Sequence, residues 1–353
     1  MKHIGLYFLG ICSFCICVFL FFKVHLFQTT EVILVDENSS ATYVYDKNKE
    51  TLTPLFDLKK PVLTVLRETK NSLKIKNDTG FSVFAREGLN VYRLLQESKV
   101  EYTEPKKIAI LYISTGKYIR FWDDFYKNTE KYFLPRHKKT YFLFTNHDDL
   151  KVADNVVKIH QDQLPWPYVT LKRYHFFDAI KDQLKEYDYI YFLNGTLLPV
   201  AEVNEEIFPT KEQGLTLTIR GADFGRKNIK WLRYSRIKNS VCYVAPSEGK
   251  YYVIGGFNGG TKDAFLQMVR VLKDWTDIDL KNNIIPGWHD EGYLNRYYLN
   301  KLKKRKSPLL LMPDYAISET NVPLRALEFR PFAKMLILSK EDRGGVDFFR
   351  DIK

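Results

Sequence analysis

Three apolar runs of strand length, separated by helix-patterned segments, constrain this chain more than any other feature. They are Ile108 to Ile113, Lys139 to Thr145 and Asp188 to Leu193. Each closes on turn residues: Ser114-Thr115-Gly116, Asn146-His147-Asp148-Asp149 and Asn194-Gly195. Between the first two runs, Tyr118, Phe121, Trp122, Phe125 and Tyr132 recur at helical spacing, and Val169 to Leu184 reads as a second helix. Continuous apolar strands are buried on both faces. Their alternation with helices predicts an α/β domain around a mostly parallel sheet. Ligands of such sheets sit at the carboxyl ends of the strands, so the turn residues are where chemistry is expected.

The stretch from Ile4 to Phe22 carries no charge over nineteen residues and is flanked by Lys2 and Lys23. It is long enough to cross a hydrocarbon core as a helix, and no small-residue cleavage site follows it. It is expected to be an uncleaved anchor (residues 4–22) behind a short tail (1–3). The flanking charges are nearly balanced and do not orient it. The triplets Asn38-Ser39-Ser40 and Asn77-Asp78-Thr79 fit the N-glycosylation pattern and lean toward a lumenal body. Residues 23–86 read as a stem or strand-rich lead-in, with Glu31–Val35 and Ala41–Tyr45 as strand fragments. Leu89, Tyr92, Leu94 and Leu95 suit one face of a helix, and the main domain is placed at 87–353. Three of the 4 Cys lie in the apolar run, which leaves only Cys242 and excludes a disulfide in the rest of the chain. The net charge of +12 suggests anionic partners, but no nucleic-acid module is visible.

Several segments at or beyond the strand ends could carry chemistry. Ser114-Thr115-Gly116 can turn backbone N–H groups toward a phosphate, and Tyr118 either stacks on a base or fills the core. His147, Asp148 and Asp149 read as a solvated turn or a metal cluster. Tyr251 to Thr261 is a glycine-dense strand that admits close approach of a ligand or forms a bulged hairpin. The basic run Lys301 to Lys306 reads as a solvated face or as a contact for phosphate or an anionic membrane. The most informative string is Trp288-His289-Asp290-Glu291, after Pro286-Gly287 and before a helix from Tyr293 to Leu302. Helix capping accounts for Asp290 but not for the whole string. A Trp face suits a sugar ring, and a carboxylate suits an oxocarbenium-like centre.

Trp288-His289-Asp290-Glu291-Gly292-Tyr293-Leu294-Asn295-Arg296-Tyr297 resembles the W-H-D-E-S-H-L-N-K-Y signature of family 6 glycosyltransferases, the blood group A/B transferase and α-1,3-galactosyltransferase family. Gly116-Lys117-Tyr118-Ile119 resembles its G-R-Y-I, and Trp166, Thr170 and Arg173 its W-x-x-x-S-x-x-R. Tyr251 to Thr261 resembles its Y-Y-x-x-G-G region with one inserted residue, and Leu311-Met312-Pro313-Asp314-Tyr315 its L-S-P-E-Y. Glu87-Gly88 corresponds to the E-G ahead of its catalytic domain. The likeness runs from about residue 87 to 340.

The resemblance implies an A-type glycosyltransferase fold, Rossmann-like, and retaining α-1,3 transfer of GalNAc or Gal. The donor would be UDP-GalNAc or UDP-Gal, and the acceptor a galactose-type hydroxyl of a glycolipid, glycoprotein or polysaccharide. It implies Glu291 as the catalytic carboxylate beneath the anomeric carbon, as nucleophile or as a nearby anion. Trp288 and His289 would meet the acceptor. Ile113, Ser114, Tyr118, Trp166 and Arg173 would bind the donor nucleotide and diphosphate. Asp290, Gly255 and Gly256 would meet the donor sugar, the two glycines leaving room for an acetamido group.

One departure stands out. Where many members place D-x-D and hold Mn²⁺, this chain has Asn194-Gly195-Thr196, closer to the N-x-N of metal-independent bacterial members. Neutral oxygens hold such a cation poorly. Asn194 and Thr196 are thus expected to bind the donor without metal, with Mn²⁺ as the alternative and Lys340 and Arg343 as candidates to neutralise the diphosphate. The anchor and stem imply a single-pass type II protein, in the Golgi of a eukaryote or the inner membrane of a bacterium. A second reading is a catalytically silent, membrane-anchored glycan- or nucleotide-binding member. A glycoside hydrolase would need a second carboxylate site that the sequence does not offer.

Overall fold

The computed structural model describes residues 31–36, 39–46, 49–54, 63–68, 72–77, 80–86, 91–99 and 104–350, apart from 227 and 305. The expected anchor at 4–22 lies outside the described residues. Among the described residues, no helix is long and apolar enough to cross a membrane. The chain forms two units, Met1–Glu97 and Ser98–Lys353.

The first unit is a closed barrel of seven strands: β1 (Glu31–Asp36), β2 (Ser39–Asp46), β3 (Thr51–Pro54), β4 (Leu63–Glu68), β5 (Ser72–Asn77), β6 (Gly80–Arg86) and β7 (Val91–Lys99). Neighbours pair antiparallel from β1 to β6, and a parallel β1–β7 contact (Ile33 opposite Val91) closes the ring. Period-two alternation fills its interior with Tyr43, Tyr45, Leu52, Leu63, Val65, Leu73, Ile75 and Phe84. Of the helix expected around Leu89–Leu95, residues 91–95 are instead part of β7, which lies beyond residue 86 yet belongs to the barrel, and Leu89 lies outside the described residues. The partner strand β1 decides between two conformations that the apolar spacing alone allows.

The second unit is α/β. Its elements are β8 (Lys107–Ile113), α1 (Trp122–Tyr132), β9 (Lys138–Thr145), β10 (Val156–His160), the short helices α2 (Tyr168–Leu171), α3 (Arg173–Ala179) and α4 (Lys181–Leu184), β11 (Tyr189–Leu193), β12 (Leu197–Pro199), β13 (Leu215–Ile219), β14 (Val253–Thr261), α5 (Lys262–Lys281), α6 (Asp290–Lys303), β15 (Leu309–Leu311), β16 (Ile317–Ser318), β17 (Met335–Ile337) and α7 (Val346–Arg350). The main sheet runs β10-β9-β8-β11-β14-β13-β15. Only β14 runs against its neighbours β11 and β13; the other pairings are parallel. The three apolar runs are its centre: Ile108 to Tyr112, Tyr141 to Phe144 and Ile190 to Leu193 are buried throughout. Each fully buried aliphatic side chain there contributes about 1.5–3 kcal/mol. The helix expected at Val169–Leu184 is broken into three short pieces.

The two glycine pairs of β14 have different work. A Cβ on Gly259 would lie 2.2 Å from Tyr191 Cδ1, so glycine admits the Tyr191 ring between strands. Gly255 and Gly256 instead line a cavity. A small second sheet, β12-β17-β16, follows the end of β11 and brings the carboxyl-terminal segment back over the same cavity. Leu338 N–H donates to the Thr196 carbonyl at 2.8 Å, which fixes that return.

Candidate active site

A cavity of about 630 Å³ opens at the carboxyl ends of β8 and β11, between the start of α6 and the returning carboxyl-terminal segment. Its floor is built by α6 lying on β14. The Asn295 side chain ties the two together: its Oδ1 accepts from Val253 N–H at 2.9 Å, and its Nδ2 donates to Val253 O at 2.8 Å. One turn earlier, Glu291 is therefore held against the same strand. Gly255 N–H donates to Glu291 Oε1 at 2.8 Å, and the Tyr252 hydroxyl donates to Oε2 at 2.9 Å. Burial first, then the Glu291 charge, raises the Tyr252 phenol above its ordinary range, so it remains a donor.

Asp290 is buried beside it. Arg173 Nη1 lies 3.2 Å from Asp290 Oδ2 and donates to Gly255 O at 2.8 Å, while its guanidinium lies 4.6 Å from the Phe192 ring centroid. Burial pushes the Asp290 carboxyl up to about 7, against the pull of Arg173 and with a push from Glu291. The backbone leading into α6 is bent: Trp288 and His289 take φ of 64° and 51°. Such values are uncommon for side chains of this kind and cluster at functional sites.

The strand-end side carries Ile113, Thr115, Tyr118, Asn194, Thr196 and Lys340. Asn194 N–H donates to Gly256 O at 2.8 Å, and its Nδ2 donates to Thr196 Oγ1 at 3.3 Å. Lys340 Nζ stands 5.0 Å from the Tyr118 ring centroid. The outer rim carries two aromatic–cation groups. Trp166 packs edge-on against His289 at 4.6 Å and lies under Arg350 at 4.3 Å, while Arg233 lies over Trp288 at 4.0 Å. Burial and then the Arg350 charge lower the His289 imidazole, which favours its neutral form at pH 7.

The fold thus gathers Ile113, Tyr118, Trp166, Arg173, Asn194, Thr196, Gly255, Gly256, Trp288, His289, Asp290, Glu291 and Lys340 around one cavity. Ser114 and Arg343 do not line it. Ser114 is fully buried, and its N–H continues the β8–β9 ladder to Phe144 O. Arg343 forks onto Glu319, donating at 2.7 and 3.2 Å. His147, Asp148 and Asp149 form no cluster: His147 Nε2 meets Gly116 O, and Asp148 meets His160. Sequence reasoning missed Arg220, Arg233, Tyr252 and Arg350. Tyr252 stood inside the Tyr251–Thr261 string, but nothing there marked its hydroxyl as a partner of Glu291.

The donor set fits Mn²⁺ poorly. Asn194 and Thr196 offer only neutral oxygens, that of Thr196 already accepting from Asn194 Nδ2, and among the described residues no three His, Cys, Asp or Glu converge to hold a metal. What the cavity does offer is an aromatic and a cation at the strand ends, a fixed carboxylate in the middle and aromatic faces at the rim. Those groups suit a base, a phosphate, a developing cation and sugar rings, respectively.

The profile of glycosyltransferase family 6 matches residues 34–335. The chain is 35% identical over 215 residues to the O-antigen biosynthesis glycosyltransferase WbnI of Escherichia coli, which covers 60% of this chain and 88% of that one. It is 23% identical over 327 residues to the histo-blood group ABO system transferase 1 of Rattus norvegicus, 87% of this chain and 88% of the relative. It is 23% identical over 221 residues to the globoside alpha-1,3-N-acetylgalactosaminyltransferase 1 of Gallus gallus, 59% of this chain and 61% of the relative.

Proposed function

The chain belongs to glycosyltransferase family 6, and from that premise we propose that it is a retaining α-1,3-glycosyltransferase of A-type fold. It moves GalNAc or Gal from a UDP-sugar to a galactose-type hydroxyl of a glycan. The observation that carries this reading is the Glu291 carboxylate, pinned by Gly255 N–H and Tyr252 Oη in the cavity that Tyr118, Lys340, Trp288 and His289 also line.

In this reading the uracil stacks on Tyr118 and the diphosphate meets Lys340 and backbone amides near Asn194. Positive charge there stabilises the leaving group. Glu291 supplies the negative charge needed by an oxocarbenium-like anomeric carbon. Its two hydrogen bonds fix that charge before the substrate arrives, so no reorganisation is needed in the transition state. Asp290, held by Arg173, contacts donor hydroxyls. Trp288 and His289 receive the acceptor. Transfer proceeds without a divalent cation, Asn194 and Thr196 binding the donor through neutral oxygens. The uncharged run 4–22 anchors the protein as a single-pass type II chain, in the Golgi or the bacterial inner membrane according to host.

The test is UDP release from UDP-GalNAc and UDP-Gal by the full chain in detergent, with EDTA and with Mn²⁺. Turnover in EDTA is expected. UDP binding without turnover, on an acceptor panel that includes galactosides, would favour the silent binding protein. Turnover only with Mn²⁺ would refute the metal-free site.

A further inference from the structure

Arg233 stands out among the cations of the cavity. Arg173 is paired with Asp290, and Arg220 with Asp223, which Arg226 shares. Among the described residues, no hydrogen bond or ion pair holds the Arg233 guanidinium. It lies over Trp288, its carbon 4.0 Å from the ring centroid. A contact with a ring face uses none of the guanidinium's N–H donors as hydrogen bonds to oxygen, and an N–H fork of this kind matches a carboxylate or a phosphate. Arg220 and Arg226 already pair with the carboxylate of Asp223 on this side. Burial, then the Arg220 charge, lowers the Arg233 guanidinium from its ordinary value, and the opposing pull of Asp223 and Glu291 does not offset them.

The contacts of Arg233 also differ from those of the groups assigned to the donor diphosphate. Contacts run in sequence across the cavity: Lys340 on Tyr118, Gly195 against Tyr118, Asn194 on Gly256, Gly255 on Glu291, and then Trp288 under Arg233. The phosphate-binding groups lie at one end of that series and Arg233 at the other, beyond the catalytic carboxylate. Trp288, nearly half exposed at 47%, still presents ring surface to a ligand.

We propose that Arg233, resting on Trp288, is an acceptor-specificity residue that selects a glycan bearing an anionic group, a carboxylate or a phosphate ester, on the sugar unit at Trp288. This rests on the transferase reading above, which makes the Trp288 side the acceptor side.

The test is binding, so that it does not depend on turnover. Titration calorimetry is run on the full chain saturated with UDP, using methyl β-galactoside, methyl β-galacturonoside and methyl β-galactoside 6-phosphate. At least one anionic galactoside should bind about tenfold or more tightly than the neutral one, the scale of one charge-assisted hydrogen-bond pair. The two anionic arms tell carboxylate from phosphate. Arg233→Gln should abolish the preference, and Arg233→Lys should keep part of it. Absence of any preference for either anionic arm in the native chain overturns the proposal, as does a preference that survives Arg233→Gln. UDP binding, measured first and without acceptor, judges the transferase reading separately.

Discussion

The Gly255 N–H donates to Glu291 Oε1 at 2.8 Å, and the strand approaches the helix so closely there that no side chain fits between them. A Cβ on Gly255 would lie 2.6 Å from Asp290 Oδ2 and 3.0 Å from Glu291 Cγ. Glu291 is held by two hydrogen bonds and Asp290 is buried beside Arg173, so neither can yield cheaply. A Cβ on Gly256 would meet Asn194 Cβ at 3.5 Å, an ordinary contact. Gly255→Ala should therefore lower stability by about 1–3 kcal/mol, the usual cost of overpacking, and sharply reduce turnover. Gly256→Ala should leave the melting temperature nearly unchanged. Thermal melts and UDP-release rates on the two variants check this, and equal effects would contradict it.

Tyr252 supports the same carboxylate from its other oxygen, at 2.9 Å. Glu291→Gln should lower kcat by orders of magnitude while UDP binding stays largely intact. Tyr252→Phe removes one donor and keeps the ring. It should cost about 1–2 kcal/mol of transition-state stabilisation, near tenfold in kcat. If Tyr252→Phe raised KM for the donor with kcat unchanged, the hydroxyl would belong to ground-state binding and not to Glu291.

Asp290 makes stability depend on pH in a direction opposite to most carboxylates. Its carboxyl is raised by burial from 3.8 to about 7. Between those values the folded chain keeps a proton that the unfolded chain has released. The native state then binds more protons, so this group makes stability fall as pH rises from about 4 to about 7 and adds no slope above that. The slope is about 1.4 kcal/mol per pH unit at most. Asp290→Asn removes it. The unfolding free energy of the variant relative to the native chain should rise across this window and level off above about pH 7. Urea unfolding at half-unit steps measures it; a flat difference would mean that Asp290 is ionised throughout.

The centre of this arrangement was legible in the sequence, because β8, β9 and β11 are buried on both faces and so read as unbroken apolar runs. The string Trp288 to Glu291 was legible because helix capping could not account for it. The barrel was harder. Its strands are short, and only alternate residues such as Leu63 and Val65 face inward, so each looked like a fragment. In β7, Tyr92, Leu94 and Leu95 fit a helix as well as a strand until β1 supplied a partner. Arg233 and Tyr252 were silent for a different reason. Their roles arise where the segment between β13 and β14 meets α6, and such meetings leave no local pattern. Arg343 was misplaced because its partner Glu319 lies on a separate segment brought near by folding.

Asn194 and Thr196 give the last prediction. Their side chains are 3.3 Å apart at the end of β11, so two carboxylates placed there would converge on one point in the cavity. The native pair is neutral and adds no repulsion to a bound diphosphate. In the double variant Asn194→Asp, Thr196→Asp, two negative charges would face the diphosphate without a counter-ion, each costing about 1 kcal/mol or more in a partly solvated site. Transfer or hydrolysis of the UDP-sugar in EDTA should then fall at least about tenfold below native. Added Mn²⁺ should restore it, because paired carboxylates supply the hard anionic ligands that the native pair lacks. The native chain should respond little to either reagent. Rates measured across a Mn²⁺ titration decide the matter. A native chain that needs Mn²⁺, or a double variant indifferent to it, would show that this strand end is not where the diphosphate charge is met.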